Sequence, residues 1–303
     1  SEPIRLYEPI QYSLSLSAKR LRPVLCLLCS DMYGGDLKKT IPAAIALEIF
    51  HNFTLVHDDI MDNSPMRRGV PTVYKKWNTN IAILSGDVMF AKAYEYVAQI
   101  ESNCLKPILD IFTHTAIAVC EGQQYDIDFE GLNNVTINDY FKMIELKTAV
   151  LIGASMQIGT LIAKSSVEQA KLLYNMGIKM GLIFQLQDDF LDIFSDENVF
   201  GKKNGTDIVA GKKTILFLKA LELLNHGEKE EFYVYYTEQQ QNNDEKVQYV
   251  KSIYEKLDIK KHVVTLMNKL HQEFLQLINQ SQGNKEHLSV LKEFAESLLV
   301  REL

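Results

Sequence analysis

The sequence predicts an all-α protein, and three observations lead to that prediction. The chain of 303 residues has 15 glycines and 7 prolines, about 7% of its length, where average proteins have roughly 12%. Apolar residues recur at helical steps of three and four. The strict alternation that is typical of strands is almost absent. We see no internal repeat and no linker-like stretch, so we expect a single domain over residues 1–303.

The individual helices follow from the same spacing. Pro42 stands where the first turn of a helix tolerates proline, and an apolar stripe runs on from it to Ile60. Further helices are predicted over residues 79–100, 105–129, 137–164 (as one helix or two), 167–194, from 214 onward, and in two segments of 259–303 that meet near Gly283. Glycines, prolines or runs of polar residues indicate loops at 63–71, 195–213 and 238–246.

Charge and cysteine content narrow the classes of function. A formal net charge of −7 speaks against a nucleic-acid binder, which usually carries a basic excess. The longest charge-free apolar run, 148–163, is shorter than the about 20 residues that span a bilayer. We therefore expect no membrane span and a cytoplasmic location. Four cysteines do not make a disulfide scaffold in a chain of this length, and Cys26 and Cys29 are expected to be core residues.

Two short segments repeat one acidic pattern, DDIMD at 58–62 and DDFLD at 188–192. In each segment the first and last aspartates are four residues apart and share a helix face, where like charges cost roughly 0.2–0.5 kcal/mol. Something positive should compensate, and Mg²⁺ prefers carboxylate oxygens. A solvated acidic helix end is the alternative, but it explains one such cluster better than it explains two.

Basic residues stand close to both acidic clusters in the sequence. They are Lys19, Arg20 and Arg22 near the start, Arg67 and Arg68 after the first cluster, and Lys202, Lys203, Lys212 and Lys213 after the second. Arginine offers a planar fork to phosphate and lysine a point charge. Any one of these groups is typical of a solvated surface. Acidic clusters and basic loops together indicate a diphosphate held by metal on one side and by arginine and lysine on the other.

The motifs in this order resemble those of the trans-isoprenyl diphosphate synthase (polyprenyl synthetase) family, and most of all its geranylgeranyl and farnesyl diphosphate synthases. They are KRLRP at 19–23, LVHDDIMD at 55–62, RRGVPT at 67–72, GD at 86–87, EGQ at 121–123, KT at 147–148, FQLQDDFLD at 184–192, GKK at 201–203 and GKKT at 211–214. The resemblance implies an all-α bundle around a deep central cavity, usually as a homodimer. One departure is that Ser17 and Ala18 replace two glycines that are common before the first lysine.

The resemblance also implies a role for each matching residue. Magnesium, about three ions, is expected on Asp58, Asp62 and Asp188, with Asp59, Asp189 and Asp192 as direct or water-mediated supports. The allylic diphosphate is expected on Arg67, Lys147, Lys202 and Lys212, and isopentenyl diphosphate on Lys19, Arg22, His51 and Arg68. Thr148 and Gln185 are expected beside the allylic carbons, where their oxygens could stabilise a developing cation. Residues 205–214 are expected to act as a diphosphate-binding flap.

The implied reaction is the Mg²⁺-dependent condensation of isopentenyl diphosphate with dimethylallyl, geranyl or farnesyl diphosphate through an allylic cation. Phe53 lies five residues before Asp58, roughly 7 Å down the helix, with Thr54 nearer and Phe50 farther. The Phe53 ring is expected to stop the growing chain, which favours a C20 product, with C15 as the alternative; ordinary core packing of Phe53 is the other interpretation. A class I terpene cyclase and a non-catalytic synthase subunit fit less well, because the second cluster is all aspartate and both clusters are intact.

Overall fold

The computed structural model describes residues 2–195, 204–238 and 242–300. Almost all of these residues are helical, which confirms the predicted all-α fold. The helices are α1 (Ile4–Ser15), α2 (Leu21–Met32), α3 (Leu37–Met61), α4 (Val73–Lys76), α5 (Thr79–Val97), α6 (Ser102–Gly131), α7 (Ile137–Ile144), α8 (Val150–Ile162), α9 (Val167–Phe194), α10 (Thr206–Ala210), α11 (Ile215–Leu223), α12 (His226–Thr237), α13 (Asn243–Lys256), α14 (Ile259–Ile278) and α15 (Lys285–Val300).

Capping residues set where several helices begin. The Asp36 side chain accepts a hydrogen bond from the backbone N of Lys38 at 3.0 Å, so α3 begins at Leu37. Pro42 is consequently inside α3, and the prediction that it marks the first turn is wrong, because Asp36 caps the helix earlier. Thr136 and Asp139 satisfy each other's backbone N–H groups in a capping box ahead of α7, which is a strong helix start.

Three further segments refine the sequence-based boundaries. The stretch 137–164 forms two α-helices, α7 and α8, separated by a π-helical turn at Glu145–Ala149. The predicted loop 63–71 contains a small antiparallel hairpin of β1 (Met66–Arg67) and β2 (Val70–Pro71). The end of the chain forms α14 and α15 with a break around Gly283, as predicted.

The chain divides into two compact units, each assembled from separate stretches. The first unit holds residues 1–116, 151–174 and 282–287, and in it α3 packs against α2 and α5. Cys26 and Cys29 are fully buried there, which confirms that they are core residues. A Cβ on Gly159 would lie 2.0 Å from the Cys26 carbonyl oxygen, so only glycine permits this close approach of α8 to α2.

The second unit holds residues 117–150, 175–281 and 288–303. Its core includes an aromatic cluster in which Phe217 stacks on Tyr236 with ring centroids 4.1 Å apart and on Phe232 at 5.7 Å. The Tyr236 hydroxyl donates to the Lys212 carbonyl at 2.7 Å. The apolar core therefore fixes the backbone of the GKKT motif. A single domain over the whole chain stays a prediction.

Candidate functional site

The first acidic cluster lies at the carboxyl end of α3, and its three aspartates differ in surroundings. Asp59 is buried, with 3% of its surface exposed, whereas Asp58 is half-buried and Asp62 is exposed. The Arg67 side chain donates to Asp59 Oδ1 from Nε at 2.8 Å and approaches it with Nη2 at 2.8 Å. Burial raises the pKa of Asp59, and Arg67 partly offsets that rise. Asp59 therefore orients a cation that was predicted to bind phosphate.

The hairpin explains how the RRG motif presents its arginines. Arg68 and Gly69 both have positive φ, 53° and 78°, which is the geometry of a tight two-residue hairpin turn. The Thr72 hydroxyl donates to the Ser64 carbonyl at 2.9 Å and closes the base of the hairpin. The turn thus holds Arg67 in a short strand, where its guanidinium reaches Asp59.

Four arginines surround His51 in the first unit. Burial lowers the pKa of His51 well below its ordinary value, and the charges of Arg22, Arg68, Arg67 and Arg20 lower it further. Burial also lowers the pKa of Arg22 to about 10. The buried Arg22 Nε finds no hydrogen-bond partner among the described residues. A buried N–H of a cation without a partner is costly, and an anionic ligand such as a diphosphate would satisfy it.

Arg20 has a structural task that the sequence analysis did not assign. Its guanidinium pairs with Glu48 at 2.5 Å and donates to the Leu14 carbonyl, so it joins the ends of α1 and α2 to α3. Arg20 is also the residue of this segment with positive φ, 51°. Ser17 and Ala18 are not among the residues with positive φ, so the backbone at these two positions accepts a side chain.

Phe53 and its neighbours form an aromatic cluster in the first unit. The Phe53 ring lies 5.6 Å from Phe50, 5.2 Å from Phe90 and 4.8 Å from His57, measured between centroids. Phe50 is 1% exposed and contacts Phe112 at 5.4 Å, whereas Phe53 is half-buried. Phe53 is thus the outer member of a layered aromatic wall.

Thr54 is the smaller of the predicted chain-length residues. Its hydroxyl donates to the His51 carbonyl at 2.8 Å along the same helix. The hydroxyl hydrogen of Thr54 is therefore bound to the backbone of α3.

In the second unit, Lys147 and Thr148 lie within the π-helical turn, an irregularity that is common at functional sites. The Lys147 ammonium pairs with Asp126 at 2.5 Å, and both side chains are only about a quarter exposed. A Cβ on Gly122 would lie 2.3 Å from the Lys147 backbone N. The glycine of the EGQ motif therefore allows α6 to lie against the turn that carries Lys147.

The second acidic cluster ends α9, and Asp189 is its buried member. Asp189 is 5% exposed; its Oδ2 accepts from the Tyr140 hydroxyl at 2.6 Å and its Oδ1 from Gln185 Nε2 at 3.0 Å. The Thr148 hydroxyl donates to Gln185 Oε1 at 3.0 Å. Burial raises the pKa of Asp189 to about 6 despite these hydrogen bonds. Asp188 is exposed.

Asp192 holds the start of the segment predicted as a flap. Its carboxylate accepts from the Thr206 hydroxyl at 2.5 Å, from the Thr206 backbone N at 3.2 Å and from the Asp207 backbone N at 3.1 Å. The Gly205 backbone N donates to the Asp192 carbonyl at 2.7 Å. Asp192 therefore ties the beginning of α10 to the end of α9.

The lysines of the flap have different environments. Lys213 is 7% exposed, and its ammonium donates to the carbonyls of Phe129, Glu130 and Leu132 at the end of α6. Lys212 is half-buried and lines a cavity of about 100 Å³. Lys202 lies outside the described residues. The described part of the flap is thus held at both ends, and Lys212 and Lys213 both line the cavity.

The sequence analysis missed four residues, one in the first unit and three in the second. They are Glu48, Asp126, Tyr140 and Asp207. Asp207 lies on the same cavity as Asp189, and burial raises its pKa to about 7, with Asp189 and Asp192 adding to the rise. Asp207 could have been identified from its position, because it is an acidic residue between the GKK and GKKT motifs. Nothing in the spacing pointed to the other three.

The donor chemistry fits magnesium. Carboxylate oxygens are the ligands that Mg²⁺ prefers, and each cluster offers three carboxylates. Asp58 and Asp192 are half-buried, Asp62 and Asp188 are exposed, and Asp59 and Asp189 are buried. Within the described ranges no three acidic, histidine or cysteine side chains gather to hold a metal ion by themselves. None of the described helices has the length and apolarity needed to cross a membrane.

Comparison with known proteins gives consistent matches. The polyprenyl synthetase family model matches residues 3–256. Geranylgeranyl diphosphate synthase of Methanosarcina mazei is 40% identical over 224 residues, which cover 73% of this chain and 69% of the relative. The enzyme of the same name from Saccharolobus solfataricus is 42% identical over 228 residues, with 74% and 69% covered.

The fold is similar to solved structures along its whole length. A crystal structure of geranylgeranyl pyrophosphate synthase matches with a TM-score of 0.94 and 40% identity, over 100% of this chain and 94% of the other. The similarity thus extends from the ordered set of motifs to the arrangement of the helices.

Proposed function

This chain belongs to the polyprenyl synthetase family and is an isoprenyl diphosphate synthase, and we propose that its main product is geranylgeranyl diphosphate (C20). Members of the family are Mg²⁺-dependent prenyltransferases that use isopentenyl and allylic diphosphates. The observation that carries the C20 proposal is the place of Phe53, five residues before Asp58 and braced by Phe50 and Phe90. The geranylgeranyl synthases among the relatives support the same length.

We further propose how the residues of the chain divide the work. Asp58, Asp62 and Asp188 are the proposed ligands for about three magnesium ions, which when bound supply positive charge for the departing diphosphate. Arg67, Lys147, Lys202 and Lys212 bind the same allylic diphosphate, because cationic side chains stabilise charge as it develops. Lys19, Arg22, His51 and Arg68 bind isopentenyl diphosphate, and the unsatisfied Nε of Arg22 supports that assignment.

In this proposal the allylic C–O bond breaks and Thr148 and Gln185 present oxygens to the allylic cation. The double bond of isopentenyl diphosphate attacks that cation, and the new C–C bond leaves a tertiary cation. Loss of a proton to the released diphosphate completes the step. The apolar run 148–163 excludes water, which would otherwise quench the cation. A homodimer and a cytoplasmic location are also proposed, from the family resemblance alone.

A product assay tests the function. The metal-stripped protein is incubated with isopentenyl diphosphate and dimethylallyl, geranyl or farnesyl diphosphate in turn, with and without Mg²⁺. We expect a Mg²⁺-dependent C20 diphosphate from every starter. Release of C15 as the end product would support the farnesyl synthase alternative. A cyclic hydrocarbon from farnesyl diphosphate alone would support a terpene cyclase, and no turnover would support a non-catalytic subunit.

A further inference from the structure

A chain of four polar side chains crosses the interior of the second unit. The Tyr140 hydroxyl donates to Asp189 Oδ2 at 2.6 Å, Gln185 Nε2 donates to Asp189 Oδ1 at 3.0 Å, and the Thr148 hydroxyl donates to Gln185 Oε1 at 3.0 Å. Tyr140 is 1% exposed and Asp189 is 5% exposed, so water competes little for these bonds. All four side chains line the same cavity as Lys147 and Lys212.

The identity of the donors and acceptors gives this series of hydrogen bonds a direction. An ionised carboxylate only accepts hydrogen bonds, so Asp189 must face the NH₂ end of the Gln185 amide. The amide oxygen then points away from Asp189, toward Thr148. The terminal torsion of glutamine is broad and roughly two-fold, so the side chain alone has no strong preference between the two amide orientations. The partner therefore decides which end of the amide points where.

The orientation of the Gln185 amide matters because its two ends carry opposite partial charges. With Nε2 on Asp189, Gln185 Oε1 and Thr148 Oγ1 keep lone pairs that can face a positive carbon. With the amide reversed, an N–H dipole would oppose the cation. The Tyr140 hydroxyl holds the other oxygen of Asp189 and fixes the carboxylate plane. Tyr140 is thereby connected to Gln185 through two hydrogen bonds.

We propose that Asp189 and Tyr140 are positioning residues that lock the Gln185 amide with its oxygen toward the allylic cation. Asp189 acts through Gln185 in this proposal, and protein donors occupy both of its carboxylate oxygens. The proposal rests on the proposed function, in which Thr148 and Gln185 lie beside the allylic carbons.

The test reverses the donor and the acceptor. Asp189→Asn can place its NH₂ group against Gln185 Oε1 and so permits the wrong amide orientation. The double variant Asp189→Asn/Gln185→Glu restores a donor-to-acceptor pair and again leaves an oxygen for the cation. Tyr140→Phe removes only the hydroxyl. Tyr33→Phe is the matched control, because the Tyr33 hydroxyl donates to Gln169 Oε1 at 2.8 Å in the first unit.

Steady-state kinetics with farnesyl and isopentenyl diphosphates, titrated with Mg²⁺, give the readout. For Asp189→Asn we expect kcat to fall about 100-fold, the size seen when one oriented dipole is lost, with both KM values within about threefold and an unchanged Mg²⁺ requirement. The double variant should recover about tenfold or more of that loss in kcat. Tyr140→Phe should lower kcat about tenfold, and the control should match the parent.

Three results would overturn the proposal. A raised Mg²⁺ requirement or allylic KM with kcat intact would make Asp189 a metal support. A double variant no faster than Asp189→Asn would show that the orientation of the Gln185 amide does not affect kcat. A Tyr140→Phe variant with the parent kcat would show that Tyr140 does not help to position Gln185. Failure of the proposed C20 function is distinguishable, because it would appear as a different product from the unaltered protein.

Discussion

Replacing Phe53 by alanine should lengthen the main product by one C5 unit. The Phe53 backbone lies about 7.5 Å along α3 from that of Asp58, at 1.5 Å per residue. The next barrier is Phe50, three residues farther and about 4.5 Å deeper. Phe50 is 1% exposed and is held by Phe90 and Phe112 at centroid distances of 6.1 and 5.4 Å. Phe53→Ala therefore opens one layer, and a C25 product is expected.

The fold should survive this substitution. A buried Phe→Ala change costs roughly 3–5 kcal/mol, and Phe53 is only half-buried, so the loss should fall below that range. Phe294→Ala is a matched control, because Phe294 is also half-buried and belongs to the second unit. The assay separates dephosphorylated products by chromatography after incubation with labelled isopentenyl diphosphate and farnesyl diphosphate.

The two aromatic layers, Phe53 and Phe50, should set product length in two steps. Phe53→Ala combined with Phe50→Ala should lengthen the product beyond C25, since both layers are removed. An unchanged C20 product from Phe53→Ala would show that another residue stops the chain. Products of C30 or longer from Phe53→Ala alone would show that Phe50 is not the next barrier.

Three further predictions follow from particular contacts. Asp59→Asn and Arg67→Lys should each raise the allylic KM about tenfold, and the double variant should be no worse than either, because the two side chains act as a pair; additive losses would contradict this. Lys213→Met should lower the urea-derived free energy of unfolding by about 2 kcal/mol, because three carbonyls at the end of α6 lose their donor; an unchanged midpoint would contradict that role. The pKa of His51 is lower in the folded protein than in the unfolded chain, so the unfolded chain is protonated first as pH falls. The contribution of His51 to the free energy of unfolding is therefore fully present above about pH 6.5 and is lost as pH falls. The melting temperature of His51→Gln should therefore fall less on acidification than that of the parent. An equal fall would contradict this role of His51.

The helical periodicity of apolar residues was sufficient to predict most of the helices. The long helices α3, α5, α6 and α9 and the pair at the end of the chain all carry apolar spacing that local sequence determines. The π-helical turn at Glu145–Ala149 was not predicted, and neither was the tertiary contact of Gly122 with the Lys147 backbone, because apolar spacing reports neither. The prediction for Pro42 was wrong for a local reason, because Asp36 caps α3 earlier in the chain.

The acidic clusters show what a motif leaves open. In the sequence the three aspartates of each cluster differ only in position, whereas the structure separates them by burial and partner. Asp59 pairs with Arg67, eight residues away, Asp189 with Tyr140, 49 residues away, and Asp192 with Thr206, 14 residues away. These partners come from tertiary folding, so spacing along the chain could not identify them. The metal and substrate roles of the site residues stay predictions.

The most direct test of the account is the chain length made by the purified protein from farnesyl diphosphate and excess isopentenyl diphosphate in the presence of Mg²⁺. Mass spectrometry of the intact diphosphates reports the product without dephosphorylation. We predict one condensation, a C20 diphosphate, and no product when Mg²⁺ is removed. A distribution dominated by C30 or longer chains, or condensation that continues without divalent metal, would contradict it.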